Sequence, residues 1–148
     1  SRYNRNNMKK CVIMMAAAAL AAVACNEQEV KSPAGQWKIV AADGEMVQTE
    51  ENTPYIVFGE DGKMHGCLGV NLANGDYKLR GDRLKIDNMG MTMMAGAPQD
   101  MAVEDKVREA LNEVERISYS ADTLKLSDSK GNVRLAMVPA TDAEVSQD

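Results

Sequence analysis

Apolar and polar residues alternate along much of this chain. In Asp76–Ile86 (DYKLRGDRLKI), Tyr77, Leu79, Leu84 and Ile86 take one side of a two-residue repeat, and Lys78, Arg80, Arg83 and Lys85 take the other. Successive side chains of a strand point to opposite faces, so the pattern predicts two half-buried strands joined at Gly81-Asp82. The same reasoning gives a strand in QWKIVAADG ending at Asp43-Gly44, and two strands in YIVFGEDGKMHGCLGV around Glu60-Asp61-Gly62. Asn74-Gly75 predicts another hairpin turn, because that dipeptide suits the left-handed conformations of tight hairpins. Further on, Asp122 and DSKGN divide ISYSADTLKLSDSKGNVRLAMV into more strands.

One segment has a different period. In QDMAVEDKVREALNEVER, Val103, Val107, Ala110, Leu111 and Val114 recur at helical spacing, with Pro98 and Asp100 where such a helix would begin. Strands, then one helix, then strands predict a mainly β (α+β) domain. The expected form is a rolled or barrel-like antiparallel sheet with one helix packed across it. With one Trp and one Phe in the sequence, its core must rest on Val, Leu, Ile and Met.

The N-terminal pattern is of another kind. From Met8, Lys9 and Lys10 precede Cys11–Ala24, a run without a charged residue. A basic start, a short apolar run and small residues before a cut predict a signal peptide over residues 8–24. A membrane-spanning helix needs roughly 20 apolar residues, so the run is short for one. Ala22–Cys25 (AVAC) resembles the lipobox of bacterial lipoproteins, with Ala22 in place of the usual Leu. Cys25 is therefore the expected lipidation site, carrying acyl (palmitate-type) chains. Residues 1–7 read as upstream sequence, residues 25–34 as a polar tether, 35–138 as the domain and 139–148 as a polar tail. The expected location is the cell envelope, lipid-anchored, at the outer membrane on its periplasmic side or at the surface.

Charge sharpens this picture. Arg2, Arg5, Lys9 and Lys10 all precede Cys25 and no acid does, so the formal charge of −5 for the chain becomes −9 for Cys25–Asp148. Such a balance argues against a nucleic-acid partner; the membrane is expected to be reached through lipid. Cys11 would leave with the signal and Cys25 would be acylated, which leaves Cys67 as the one thiol of the domain.

The ordered set of Trp37 after Gly35, TPYIVFGEDGKMHGCLGVN, NGDYKL, GDRLKI, MGMTMMAG, the acidic helix and ADTLKLSDSKGNV resembles the META domain, or HslJ-like, family over about Gly35 to Val138. The resemblance implies a small, non-enzymatic envelope lipoprotein linked to heat-shock or drug tolerance. It also exposes a departure. Many members carry cysteines where this chain has Val70 and Gly96; both are absent together, as expected if they pair in relatives. A redox role of such a pair does not carry over here.

The remaining candidate sites are few. His65 and Cys67 would share a strand face, yet a catalytic thiol also needs an orienting third group, and zinc needs more N/S ligands than these two. No catalytic or metal site is expected, and Cys67 is expected to be buried as a small hydrophobe. Met89, Met91 and Met93 would share a face if extended. With Met94 they are expected as core or pocket lining, the alternative being contact with a small apolar ligand or Cu(I), for which thioethers are soft ligands. Glu50-Glu51 and Glu104-Asp105 are expected to be solvated. No cofactor is implied. The leading expectation is an envelope lipoprotein contributing to stress tolerance, with an unknown envelope protein or small ligand as partner; the alternative is a binding module.

Overall fold

The structure, a computed structural model, describes residues 30–145. The signal segment, Cys25, residues 1–7, the start of the tether and the last three residues of the tail lie outside the described residues. Within them run β1 (Gly35–Ala42), β2 (Glu45–Met46), β3 (Tyr55–Phe58), β4 (Lys63–Cys67), β5 (Leu72–Arg80), β6 (Arg83–Met91), α1 (Pro98–Glu113), β7 (Arg116–Ser120), β8 (Thr123–Ser127), β9 (Val133–Pro139) and α2 (Asp142–Val145). The nine strands form one antiparallel sheet in sequence order, with β2 hanging from β1. β9 pairs back onto β1, from Trp37↔Pro139 to Ala42↔Leu135, so the sheet closes into a ring. This is the barrel-like α+β architecture that the alternation predicts.

The inward faces fill the core. Ile39, Ile56, Phe58, Met64, Leu124, Leu126, Leu135 and Met137 are each at most 2% exposed. The helix seats Val107, Ala110 and Leu111 against this interior. Closure is uneven around the ring. β6 and β7 share one ladder position, Arg83↔Arg116. Two backbone bonds hold that seam, Leu84 N–H to the Glu115 carbonyl and Ile117 N–H to the Asp82 carbonyl, both 2.9 Å. Past Arg83 the outer edge of β6 has no strand beside it among the described residues.

Three expectations are corrected. Asn74-Gly75 is not a hairpin turn: it lies inside β5, where Met64↔Gly75 and His65↔Asn74 pair across to β4. The chain reverses earlier, at Leu68–Asn71, closed by Leu68 N–H to the Asn71 carbonyl at 3.1 Å. Gly75 serves instead at an irregularity in the β5–β6 ladder between Asn74 and Asp76. A Cβ there would stand 3.0 Å from the Asp87 carbonyl oxygen, and Asn88 opposite has a φ of 54°. An absent side chain lets the bulged strand approach.

The second correction concerns the ends. Pro33, expected in a free tether, is buried, and its carbonyl accepts the Trp37 indole N–H at 2.7 Å. The Tyr119 hydroxyl donates to the Ser32 carbonyl at 3.0 Å. Beyond Val138 the chain is not simply a polar tail either: Pro139 completes β9, and Glu144 of α2 pairs with Lys38 at 2.7 Å.

The third correction is Glu104, which is 2% exposed rather than solvated.

Candidate functional site

Glu104 and Asp100 lie one helical turn apart on α1 and both face inward. Asp100 accepts the N–H groups of Glu50 at 2.6 Å and Glu51 at 3.0 Å. Glu104 accepts those of Val70 at 2.9 Å and Asn71 at 2.5 Å, and its second oxygen takes the Asn71 side-chain amide at 2.7 Å. Asn71, itself 3% exposed, then holds the Met94 backbone at both N–H and carbonyl, and accepts the Thr92 hydroxyl at 2.9 Å. A buried carboxylate is tolerated only when its lone pairs are occupied, and here each is met by donors. The cluster thus ties three connecting segments to one helix, and its acceptors are engaged by backbone and side-chain donors of those segments. Gly69 makes the approach possible: a Cβ there would lie 2.6 Å from the Asp100 carbonyl oxygen and 2.9 Å from the Glu104 Cβ.

The candidate thiol and imidazole separate. On β4 the His65 side is exposed, whereas Cys67 is 4% exposed at the strand end. Cys67 is buried, as the sequence suggests.

Val70 and Gly96 are neighbours. A Cβ built on Gly96 would meet the two Val70 methyls at 2.6 and 2.9 Å and its Cβ at 3.4 Å. The valine side chain thus fills the space that a second side chain would need.

The methionine stretch divides. β6 ends at Met91, and Met89 and Met91 are half-buried. Met93 and Met94 follow the strand and are 92% and 52% exposed, so for these two the expectation of core filling gives way to solvent. Met89 alone of the four borders a cleft between β6 and the end of α1.

That cleft, of about 590 Å³, opens where β6 parts from β7. Leu84, Ile86 and Met89 of β6, with Leu111 and Val114 at the end of α1, give it an apolar surface. Lys78 and Arg80 of β5, Arg83 and Lys85 of β6, Asn112 and Glu115 complete it. The bases come from the outward face of the β5–β6 hairpin, where Lys78 stands directly opposite Lys85 and Arg80 directly opposite Arg83. Sequence reasoning saw these residues as a solvated strand face. It missed the cleft because the parting of β6 and β7 depends on where the helix returns the chain, which no local pattern records.

Comparison with known proteins follows the same lines. No curated protein matches the chain. A solution structure from Burkholderia xenovorans is 20% identical, with a TM-score of 0.58, over 78% of this chain and 97% of that one. A second solution structure is 24% identical, with a TM-score of 0.55, over 70% of this chain and 87% of that one. At these identities the likeness is one of fold. The META domain family matches residues 28–141, a span that holds every strand, the main helix and the cleft between them, and the chain belongs to that family.

Proposed function

We propose that this chain is a non-catalytic binding protein of the cell envelope, held to a membrane by acyl chains on Cys25, whose barrel receives a small apolar ligand. The observation that carries this reading is the cleft at the β6–β7 seam. Its volume of about 590 Å³ falls among those of small-molecule sites, which are mostly apolar with a few polar groups at the margin. The burial of Cys67 beside an exposed His65, and the engagement of Asp100 and Glu104 by hydrogen bonds that hold connecting segments, favour binding over catalysis. A role in stress or drug tolerance fits a protein that takes up apolar compounds. Copper binding by the methionines is less favoured, since Met93 and Met94 stand in solvent beyond the strand that holds Met89 and Met91.

The test uses a neutral apolar dye, N-phenylnaphthylamine, and the full chain. Its fluorescence should rise on binding and fall back in Met89→Glu. No rise with the unaltered chain rejects the cleft as a binding site. Anchoring is tested separately: Cys25→Ala should move the protein from the membrane to the soluble fraction, and retention at the membrane rejects the lipid anchor.

A further inference from the structure

We propose that the natural ligand of the cleft is an amphipathic anion: an acyl chain on the apolar surface, with a carboxylate or phosphate head among Lys78, Arg80, Arg83 and Lys85. The proposal rests on the binding role proposed above and adds the chemical class of the ligand.

Three observations carry it. First, the charge is out of place. The chain is acidic, yet four exposed cations border this one cleft, with Glu115 the single acid in its wall. Second, those cations are arranged against their own stability. Lys78 faces Lys85 and Arg80 faces Arg83 across the β5–β6 ladder. Like charges directly opposite on a sheet repel, and a sequence selected for folding alone would place acids at one partner of each pair. Among the described residues, one of the four makes an ion pair, Lys85 with Asp87 at 4.0 Å, while Lys78 feels the charge of Asp76 at longer range. The acids nearest in sequence to the others are engaged elsewhere, Asp76 with Lys63 at 2.9 Å and Asp82 with Arg116 at 3.0 Å. Third, the cations adjoin apolar wall residues, the half-buried Ile86 and Met89 beside the buried Leu84, Leu111 and Val114. An inorganic anion would use the charges and leave that wall wet. A neutral apolar molecule would leave the charges unused. A molecule with both parts satisfies both, and its head would relieve the repulsion across the two like pairs.

Displacement of the bound dye from the full chain tests this with ligands of one chain length. Decanoate should displace it at about tenfold lower concentration than 1-decanol, and decyltrimethylammonium should be weaker still. The advantage of decanoate should vanish in Lys78→Gln/Arg83→Gln and shrink at about 0.5 M salt, where exposed charges are screened. The same double variant should melt no lower than the unaltered chain, because the cations oppose one another; a clear fall in Tm would mark them as structural and overturn the assignment. Equal displacement by decanoate and decanol overturns the anion and leaves the cleft. Dye that binds nowhere removes the cleft itself. Decanoyl-lysophosphatidylglycerol, below its micelle concentration, separates the two sources of such a head: tighter binding than decanoate supports a membrane lipid, and weaker binding supports a free fatty acid.

Discussion

Single residues carry the joints of this domain. Glu104 holds the 68–71 reversal to the helix by three hydrogen bonds, and its removal leaves the buried Asn71 N–H and the partly buried Val70 N–H without this acceptor. Glu104→Ala should therefore cost about 3 kcal/mol, read as a urea midpoint shift at constant slope. Glu104→Gln should cost less but still destabilise, because its amide nitrogen would face donors. The sequence did hold a signal for this: Asp100, Glu104, Val107 and Leu111 follow one another at spacings of four, three and four, the stripe that faces the core. Acidity at Glu104 argued for solvent, and geometry won. Val70 and Gly96 make a second joint. With a Cβ separation of 3.4 Å close to that of disulfides, Val70→Cys/Gly96→Cys should oxidise to a bridge and raise stability by up to about 3 kcal/mol. Mass spectrometry without reductant, beside melting with and without it, checks both statements.

At the scale of elements, strands with clean alternation were legible and their interruptions were not. DYKLRGDRLKI became β5 and β6 with the turn at Gly81, because the pleat and the left-handed glycine (φ 63°) agree. The Asn-Gly pair misled, because a turn dipeptide is only a local preference and the reversal at Leu68–Asn71 is fixed from afar by α1. The ring itself could be expected; its weak place could not. Hydrogen exchange locates that place. The amides of Leu84 and Ile117, which make the two seam bonds, should exchange well before those of Leu124 and Leu126, whose strand is paired on both sides. Equal protection would mean that the seam opens only with the whole domain. A ligand in the cleft should slow the two seam amides selectively.

The whole molecule is fastened at its C-terminal end by charge. The Lys38 ammonium hydrogen-bonded to Glu144, aided by the Thr141 N–H, holds the Glu144 carboxyl below its ordinary range. A carboxyl whose folded pKa is depressed contributes stability above its unfolded value and loses it as pH falls through the folded one. Docking of α2 should thus be intact at neutral pH and fail below the usual glutamate range, ahead of the ring. The pair is partly exposed, so the effect on global stability is small; the backbone amide of Val145 should show the loss by NMR as pH is lowered. In Glu144→Gln the acid step should disappear.

The pairing of β9 with β1 also sets an order in time. A chain is made from its N-terminus, so β1 exists long before the partner that closes its open side. Until Leu135–Pro139 arrives, Trp37–Ala42 presents one edge with nothing to bond. Barrel closure is therefore a late long-range event, followed along the chain by the docking of α2 on Lys38, and contacts so distant along a chain are slow to form. Until that pairing forms, the sheet keeps an open edge and the chain has not yet become a ring.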